Sequence, residues 1–175
     1  MRHRRLWQAA GLLLFLTCVA WGQARREPLS DAEIDELRDA AQDPAERLKS
    51  FVKFCRTRLT ALEQARSDPK VTDRGQETHD KLQDFVDVYD ELNDNIDTFL
   101  DRKSDLRRPL KLVIEADTEF QAKLRALKSS ADSSPKEASQ YEFLLNTALD
   151  SVDTGVNDHR KLLVEQEEAA KHKKK

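Results

Sequence analysis

Apolar residues recur at steps of three and four along four long segments of this chain, and this spacing limits the possible folds more than any other property. In the segment of roughly 44–66 the recurring residues are Leu48, Val52, Cys55, Leu59 and Leu62. In the segment of about 76–105 they are Leu82, Phe85, Tyr89, Leu92, Ile96 and Phe99. The segments of about 109–128 and 135–170 follow the same rule, which places the apolar side chains on one helical face. No segment shows sustained period-two alternation flanked by turn residues, so an all-α protein is predicted.

Helix-capping residues support these segments and add a short helix before them. Ser30 followed by Glu33 predicts a capping box in front of a first short helix. Asp43 precedes a first-turn proline, Pro109 suits the first turn of another helix, and Ser134 precedes one more proline. Four long amphipathic helices with short connections predict an elongated antiparallel four-helix bundle over 44–170, with an additional short N-terminal helix within 25–43.

The first 24 residues have the pattern of a secretory signal peptide. Three arginines precede an apolar run from about Gly11 to Trp21, and small residues follow at Gly22 and Ala24. The run is shorter than the roughly 20 residues that span a bilayer. We therefore predict a signal peptide over 1–24, and a periplasmic or secreted mature chain without a transmembrane segment. Acylation at Cys18 is a less favoured alternative, because no small residue directly precedes this cysteine.

The charge balance argues against general nucleic-acid binding. The whole chain has a net charge of -3, and removal of the three arginines of the signal peptide makes it -6. Nucleic-acid binding needs an electropositive surface. A basic tail over 171–175 is predicted to end the acidic last helix, because cations suit the carboxyl end of a helix dipole. The partner, protein or envelope component, and the oligomeric state stay open at this stage.

The segment 82–101 carries seven carboxylates and no lysine or arginine. We call these residues the acidic stripe: Asp84, Asp87, Asp90, Glu91, Asp94, Asp97 and Asp101. They occupy the side of the helix opposite and flanking its apolar face. So much like charge on one helix requires compensation, either from within the protein or from a partner.

Charges summed by segment favour internal compensation. The net charges are +4 for 44–66, -7 for 76–105, +3 for 107–128 and -5 for 135–170. In a bundle whose helices lie beside their sequence neighbours, this alternation places opposite charges side by side and like charges on the diagonals. The alternative is that the acidic stripe binds a basic peptide or divalent cations.

The sequence offers few candidates for catalysis. Only Gly75 and Gly155 follow the signal peptide, too few for phosphate-binding loops or dinucleotide fingerprints. His159 falls at a core-compatible helix position, and Asp117 lies close to the inward face of its helix, where a boundary position paired with an arginine is predicted. Cys55 lies on an apolar stripe, where a buried thiol acts as a small hydrophobe. No cofactor and no enzymatic activity are predicted.

Two functions remain in competition. The favoured one is an exported, non-enzymatic helical bundle that acts through protein or envelope contacts. The alternative is a small-ligand or metal-binding bundle with a polar core site formed by Asp117, His159 and Cys55. A buried polar cluster joining these residues would favour the alternative, and a wholly aliphatic and aromatic interior would exclude it.

Overall fold

The computed structural model describes residues 27–131 and 133–172, and this part of the chain forms six helices and no strand. The helices are α1 (Asp31–Asp39), α2 (Pro44–Ser67), α3 (Arg74–Asp101), α4 (Arg107–Ala131), α5 (Pro135–Ala138) and α6 (Glu142–His172). The predicted all-α bundle is confirmed. The predicted signal peptide over 1–24 and residues 173–175 of the basic tail lie outside the described residues. No helix in the described ranges combines the length and the apolar character needed to cross a bilayer.

The predicted helix starts are confirmed at the first two helices and are less accurate further on. The Glu33 amide donates to Ser30 Oγ at 3.4 Å, and the Ser30 amide donates to the Glu33 carboxylate at 2.8 Å, which completes the capping box. Asp43 accepts from two amides of the first turn of α2 at 2.8 and 3.2 Å. Helix α4 begins two residues before Pro109. Ser134 precedes α5, but its side chain makes no capping bond.

The single helix expected over 135–170 is wrong, because the chain turns at residues 139–141. Tyr141 is buried in this turn, and its amide donates to the Ala138 carbonyl at 2.9 Å. Arg66 of α2 donates to Glu137 at 2.9 Å and to the Tyr141 hydroxyl at 3.4 Å. These bonds hold α5 and the turn against the end of α2, and α6 begins after the turn at Glu142.

The four long helices form two antiparallel pairs, α2 with α3 and α4 with α6. The pairs lie against each other so that α2 is beside α4 and α3 is beside α6, each in parallel orientation. The cross-helix contacts that fix these directions join Arg47 to Asn95, Lys111 to Glu167, Arg56 to Glu119 and Lys123 to Glu63. Helices α3 and α4 therefore lie across a diagonal of the bundle, although they are consecutive in the chain.

The expectation that like charges occupy the diagonals is wrong for this reason. The link between α3 and α4, residues 102–106, can span about 17 Å when extended. With neighbouring axes 8–10 Å apart, a diagonal is only about 13 Å. The length of the link therefore does not determine whether α4 packs beside α3 or across the diagonal from it. As a result the two acidic helices, α3 and α6, lie side by side, and so do the two basic helices, α2 and α4.

One continuous core fills the bundle. The diagonal helices meet there through aromatic side chains: the Phe85 and Phe120 rings are 5.5 Å apart and the Tyr89 and Phe120 rings are 6.3 Å apart, both edge-on. Burial of each such side chain stabilises the fold by about 1.5–3 kcal/mol. The short α1 packs on α2 through buried Leu37 and through an ion pair of 2.7 Å between Arg58 and Glu33.

Candidate functional site

A groove of about 590 Å³ runs between α3 and α6, which pack together less closely than the other neighbouring helices. We call it the α3–α6 groove. Its apolar lining comes from Ile96, Leu100 and Leu162, and half of its polar lining residues are acidic. Two residues of the acidic stripe, Asp90 and Asp97, face it from α3. The groove therefore combines an apolar strip with carboxylates from two helices.

The acidic residues that α6 contributes to the groove are Asp150, Asp158 and Glu165. Glu165 has a weak contact of 3.9 Å with Lys161, the cation at the rim of this groove. Asp90, Asp97, Asp150 and Asp158 form no hydrogen bond or ion pair with another described residue. Four carboxylates thus share one groove without compensation from the residues that the structure describes.

Asp90 also experiences repulsion from the carboxylates of its own helix. Its side chain is exposed but lies in a concave surface, and partial desolvation there raises the pKa of its carboxyl above the ordinary value. The neighbouring carboxylates of Asp87, Asp94 and Glu91 raise the pKa further. Repulsion between like charges is therefore present in the folded protein, and a cationic partner would relieve it.

The other residues of the acidic stripe lie outside the groove. Asp84 is 3.8 Å from Lys81 of the same helix, and Asp87 accepts from Gln83 at 2.7 Å. The remaining members, Glu91, Asp94 and Asp101, do not line the groove. Four basic residues of α2 form ion pairs with acids of α1, α4 and α5.

A buried polar cluster lies directly beneath the groove, and we call it the Tyr89–Asp117–His159 cluster. Asp117 of α4 has no exposed surface. Its Oδ1 accepts from the Tyr89 hydroxyl of α3 at 3.0 Å, and its Oδ2 lies 2.8 Å from Nδ1 of His159 of α6. Because a carboxylate only accepts, Nδ1 carries the proton and donates. Three helices are thereby joined around one carboxylate.

Gly155 makes room for this cluster. A Cβ atom at this position would lie 2.1 Å from the Tyr89 hydroxyl oxygen and 3.4 Å from Cε1 of His159. Burial, with the charge of Asp117, raises the pKa of Tyr89, so its hydroxyl stays protonated and donates. Gly155 and His159 also line the α3–α6 groove, so the cluster forms part of the groove floor.

Only two of the three predicted core-site residues are joined. Asp117 and His159 share a hydrogen bond, but no hydrogen bond links Cys55 to either of them within the described chain. Cys55 is fully buried, and burial, with the nearby charge of Asp117, raises the pKa of its thiol. The described residues contain no group of three histidine, cysteine or acidic side chains placed to hold a metal ion.

Sequence reasoning missed the α6 side of the groove and two members of its floor. Asp150 and Asp158 were counted in the charge of their segment but were not placed opposite the acidic stripe. Tyr89 was counted as an apolar residue, although a buried tyrosine hydroxyl needs a partner. Gly155 interrupts a helical segment, which usually signals a packing reason.

A scan against protein-family models, a search of curated proteins and a search of solved structures each returned no match. The function is therefore argued from the geometry of the groove and of the cluster beneath it.

Proposed function

We propose that this chain is an exported, non-enzymatic binding module that holds a basic segment of a partner protein in the α3–α6 groove. The observation that carries the proposal is the set of four groove carboxylates, Asp90, Asp97, Asp150 and Asp158, without a cationic partner in the described residues. Export is proposed from the signal-peptide pattern of residues 1–24.

The shape of the groove favours a helical partner segment. Its lining extends along α6 from Asp150 to Glu165, about 22 Å at the helical rise. This length corresponds to about four turns of a partner helix. Half-buried Leu100 and Leu162, toward one end of the groove, suit apolar side chains of an amphipathic helix, and the groove carboxylates suit lysine or arginine on its flanks. The proposed partner segment is therefore a basic amphipathic helix.

The proposal is tested with a synthetic amphipathic helical peptide of leucine and lysine, with fluorescence anisotropy as the readout. We expect binding to the native protein that weakens as salt is added, because exposed charges are screened. A peptide with glutamate in place of every lysine should not bind. Equal binding of the two peptides would show that charge does not select the partner and would contradict the proposal.

A matched pair of triple variants locates the binding surface. Asp90→Asn, Asp97→Asn and Asp158→Asn together remove three groove charges, and we expect affinity for the lysine peptide to fall about tenfold to a hundredfold. The control variant removes three exposed acids outside the groove: Asp39→Asn, Glu115→Gln and Glu142→Gln. Equal losses in the two variants would mean that net charge, rather than the groove, attracts the peptide.

The alternative function, binding of a small ligand or metal in the polar core, is supported by the bond between Asp117 and His159. Thermal denaturation with and without zinc separates the two functions. A saturable rise in the melting temperature that is lost in Asp117→Asn would support the alternative. Under the proposed function, zinc leaves the melting temperature unchanged.

A further inference from the structure

We infer that His159 is the anchoring residue of the α3–α6 groove and accepts a hydrogen bond from one lysine ammonium or arginine guanidinium of the basic segment. This inference rests on the proposed function and adds to it one specific contact, the hydrogen bond between His159 at the groove floor and a basic side chain of the partner. Such a hydrogen bond would fix the position of one basic side chain of the partner helix along the groove, which the groove carboxylates alone would not do.

The orientation of the imidazole carries the inference. His159 is 5% exposed, and its Nδ1 edge is turned to Asp117. In an imidazole whose single proton is on Nδ1, Nε2 is an acceptor. No described residue hydrogen-bonds to Nε2, and the ring also lines the groove. The largely buried ring thus lines the groove with an acceptor nitrogen that has no partner from the described chain.

The surroundings of His159 select a cation as the donor. Gly155 and His159 both line the groove floor, and the space beside Gly155 is filled by the Tyr89 hydroxyl. Asp158 and Asp90 contribute carboxylates to the same groove, and Thr154 and Ser151 contribute hydroxyls. A cationic donor would satisfy Nε2 and reduce the repulsion around Asp90 at the same time. A neutral donor would satisfy only Nε2.

Asp117 and Tyr89 act as positioning residues in this arrangement. Asp117 holds the proton on Nδ1, which fixes the tautomer and leaves Nε2 as the acceptor. The Tyr89 hydroxyl satisfies the second oxygen of Asp117 and keeps its carboxylate from rotating. These two residues lie too deep to touch the partner directly, because both are at most 1% exposed.

The test compares His159→Asn with the native protein in a double-mutant cycle. An asparagine amide can replace Nδ1–H as donor to Asp117 but has no atom at the position of Nε2. Binding is measured for the lysine peptide and for a series of peptides in which one lysine at a time is replaced by norleucine. Norleucine keeps the aliphatic part of the side chain and lacks the ammonium. We expect His159→Asn to weaken binding about tenfold. One norleucine peptide should show no further loss with this variant, because its missing ammonium is the group that His159 binds.

Equal losses from His159→Asn across the whole peptide series would overturn the anchor. Loss of binding in the triple groove variant without loss in His159→Asn would also overturn the anchor and would leave the proposed function intact. No loss in either variant would overturn both. Nitrogen NMR of the native protein gives a readout that does not depend on a folded variant. The Nε2 resonance of His159 should shift on saturation with the lysine peptide, and an unchanged resonance would refute the contact.

Discussion

Replacement of Gly155 by alanine tests the packing that holds the Tyr89–Asp117–His159 cluster. The added Cβ atom would lie 2.1 Å from the Tyr89 hydroxyl oxygen, far inside contact distance. Tyr89 has little room to move, since its ring stacks on Phe85 at 5.8 Å and meets Phe120 edge-on. The side chain must shift away from Asp117 and lose its 3.0 Å hydrogen bond, or the two helices must separate.

The expected magnitude is a difference of opposing terms. Loss of a hydrogen bond to a buried carboxylate costs about 1.5–3 kcal/mol, and overpacking of a filled core costs about 1–3 kcal/mol. Alanine recovers about 1 kcal/mol of helix propensity. We expect Gly155→Ala to lower the free energy of unfolding by about 2–4 kcal/mol, measured by urea denaturation followed by circular dichroism. A neutral or stabilising effect would refute the assigned packing.

A double-mutant cycle identifies the responsible atom. Tyr89→Phe alone should cost about 1.5–3 kcal/mol, because one oxygen of Asp117 loses its donor. In the Gly155→Ala background the same change also removes the clashing atom, so the double variant should cost about 1–3 kcal/mol less than the sum. Gly75→Ala is the matched glycine control. Its nearest obstacle is the side chain of Gln140, which is exposed and can move aside, so its cost should be smaller.

Three further predictions concern other parts of the bundle. Cys55 should react slowly with a thiol reagent in native protein and rapidly in denaturant, and rapid native labelling would contradict its full burial. Lys103 has φ of 58° after the end of α3, so Lys103→Gly should raise the free energy of unfolding by about 1 kcal/mol; a decrease in urea denaturation would refute this. Joint neutralisation of Asp90, Asp97 and Asp158 should raise it by about 1 kcal/mol at low salt, and less at high salt. The raised pKa of Asp90 also predicts the direction of the pH dependence. Because the native state binds this proton more tightly than the unfolded state, the free energy of unfolding should fall as pH rises through the pKa of Asp90. The fall should be smaller in the neutralised variant. A lower denaturation midpoint on neutralisation would mean that these acids are compensated.

The sequence was sufficient for the helices because their signals are local. The capping box at Ser30 and the apolar spacing each depend on residues within one or two turns. The turn at residues 139–141 was missed because Tyr141 leaves the helical path for a tertiary reason, its burial beside Arg66 of a distant helix. Such a contact has no signature within the segment itself.

The helix arrangement was predicted incorrectly because it depends on packing across the core. Phe85 and Phe120 occupy ordinary apolar positions, and nothing in their spacing indicates that α3 and α4 meet across a diagonal. The burial of His159 agrees with its core-compatible position. The boundary position and the arginine partner predicted for Asp117 are wrong, because Asp117 is fully buried and binds Tyr89 and His159, which only this helix arrangement brings together. The groove was not predicted for the same reason, because it forms only when α3 and α6 are neighbours.

The basic α2–α4 side and the acidic α3–α6 side of the bundle differ in how far their charges are paired within the described chain. This difference favours an external partner. On the basic side, acids are brought in from α1 and from the facing helix, through the ion pairs of Arg58 with Glu33, Lys53 with Glu36, Arg56 with Glu119 and Lys123 with Glu63. On the acidic side, the cation lining the groove is Lys161, and it meets Glu165 only at 3.9 Å. Helix α1 thus supplies opposite charge to one face, and a basic partner helix in the α3–α6 groove would supply it to the other.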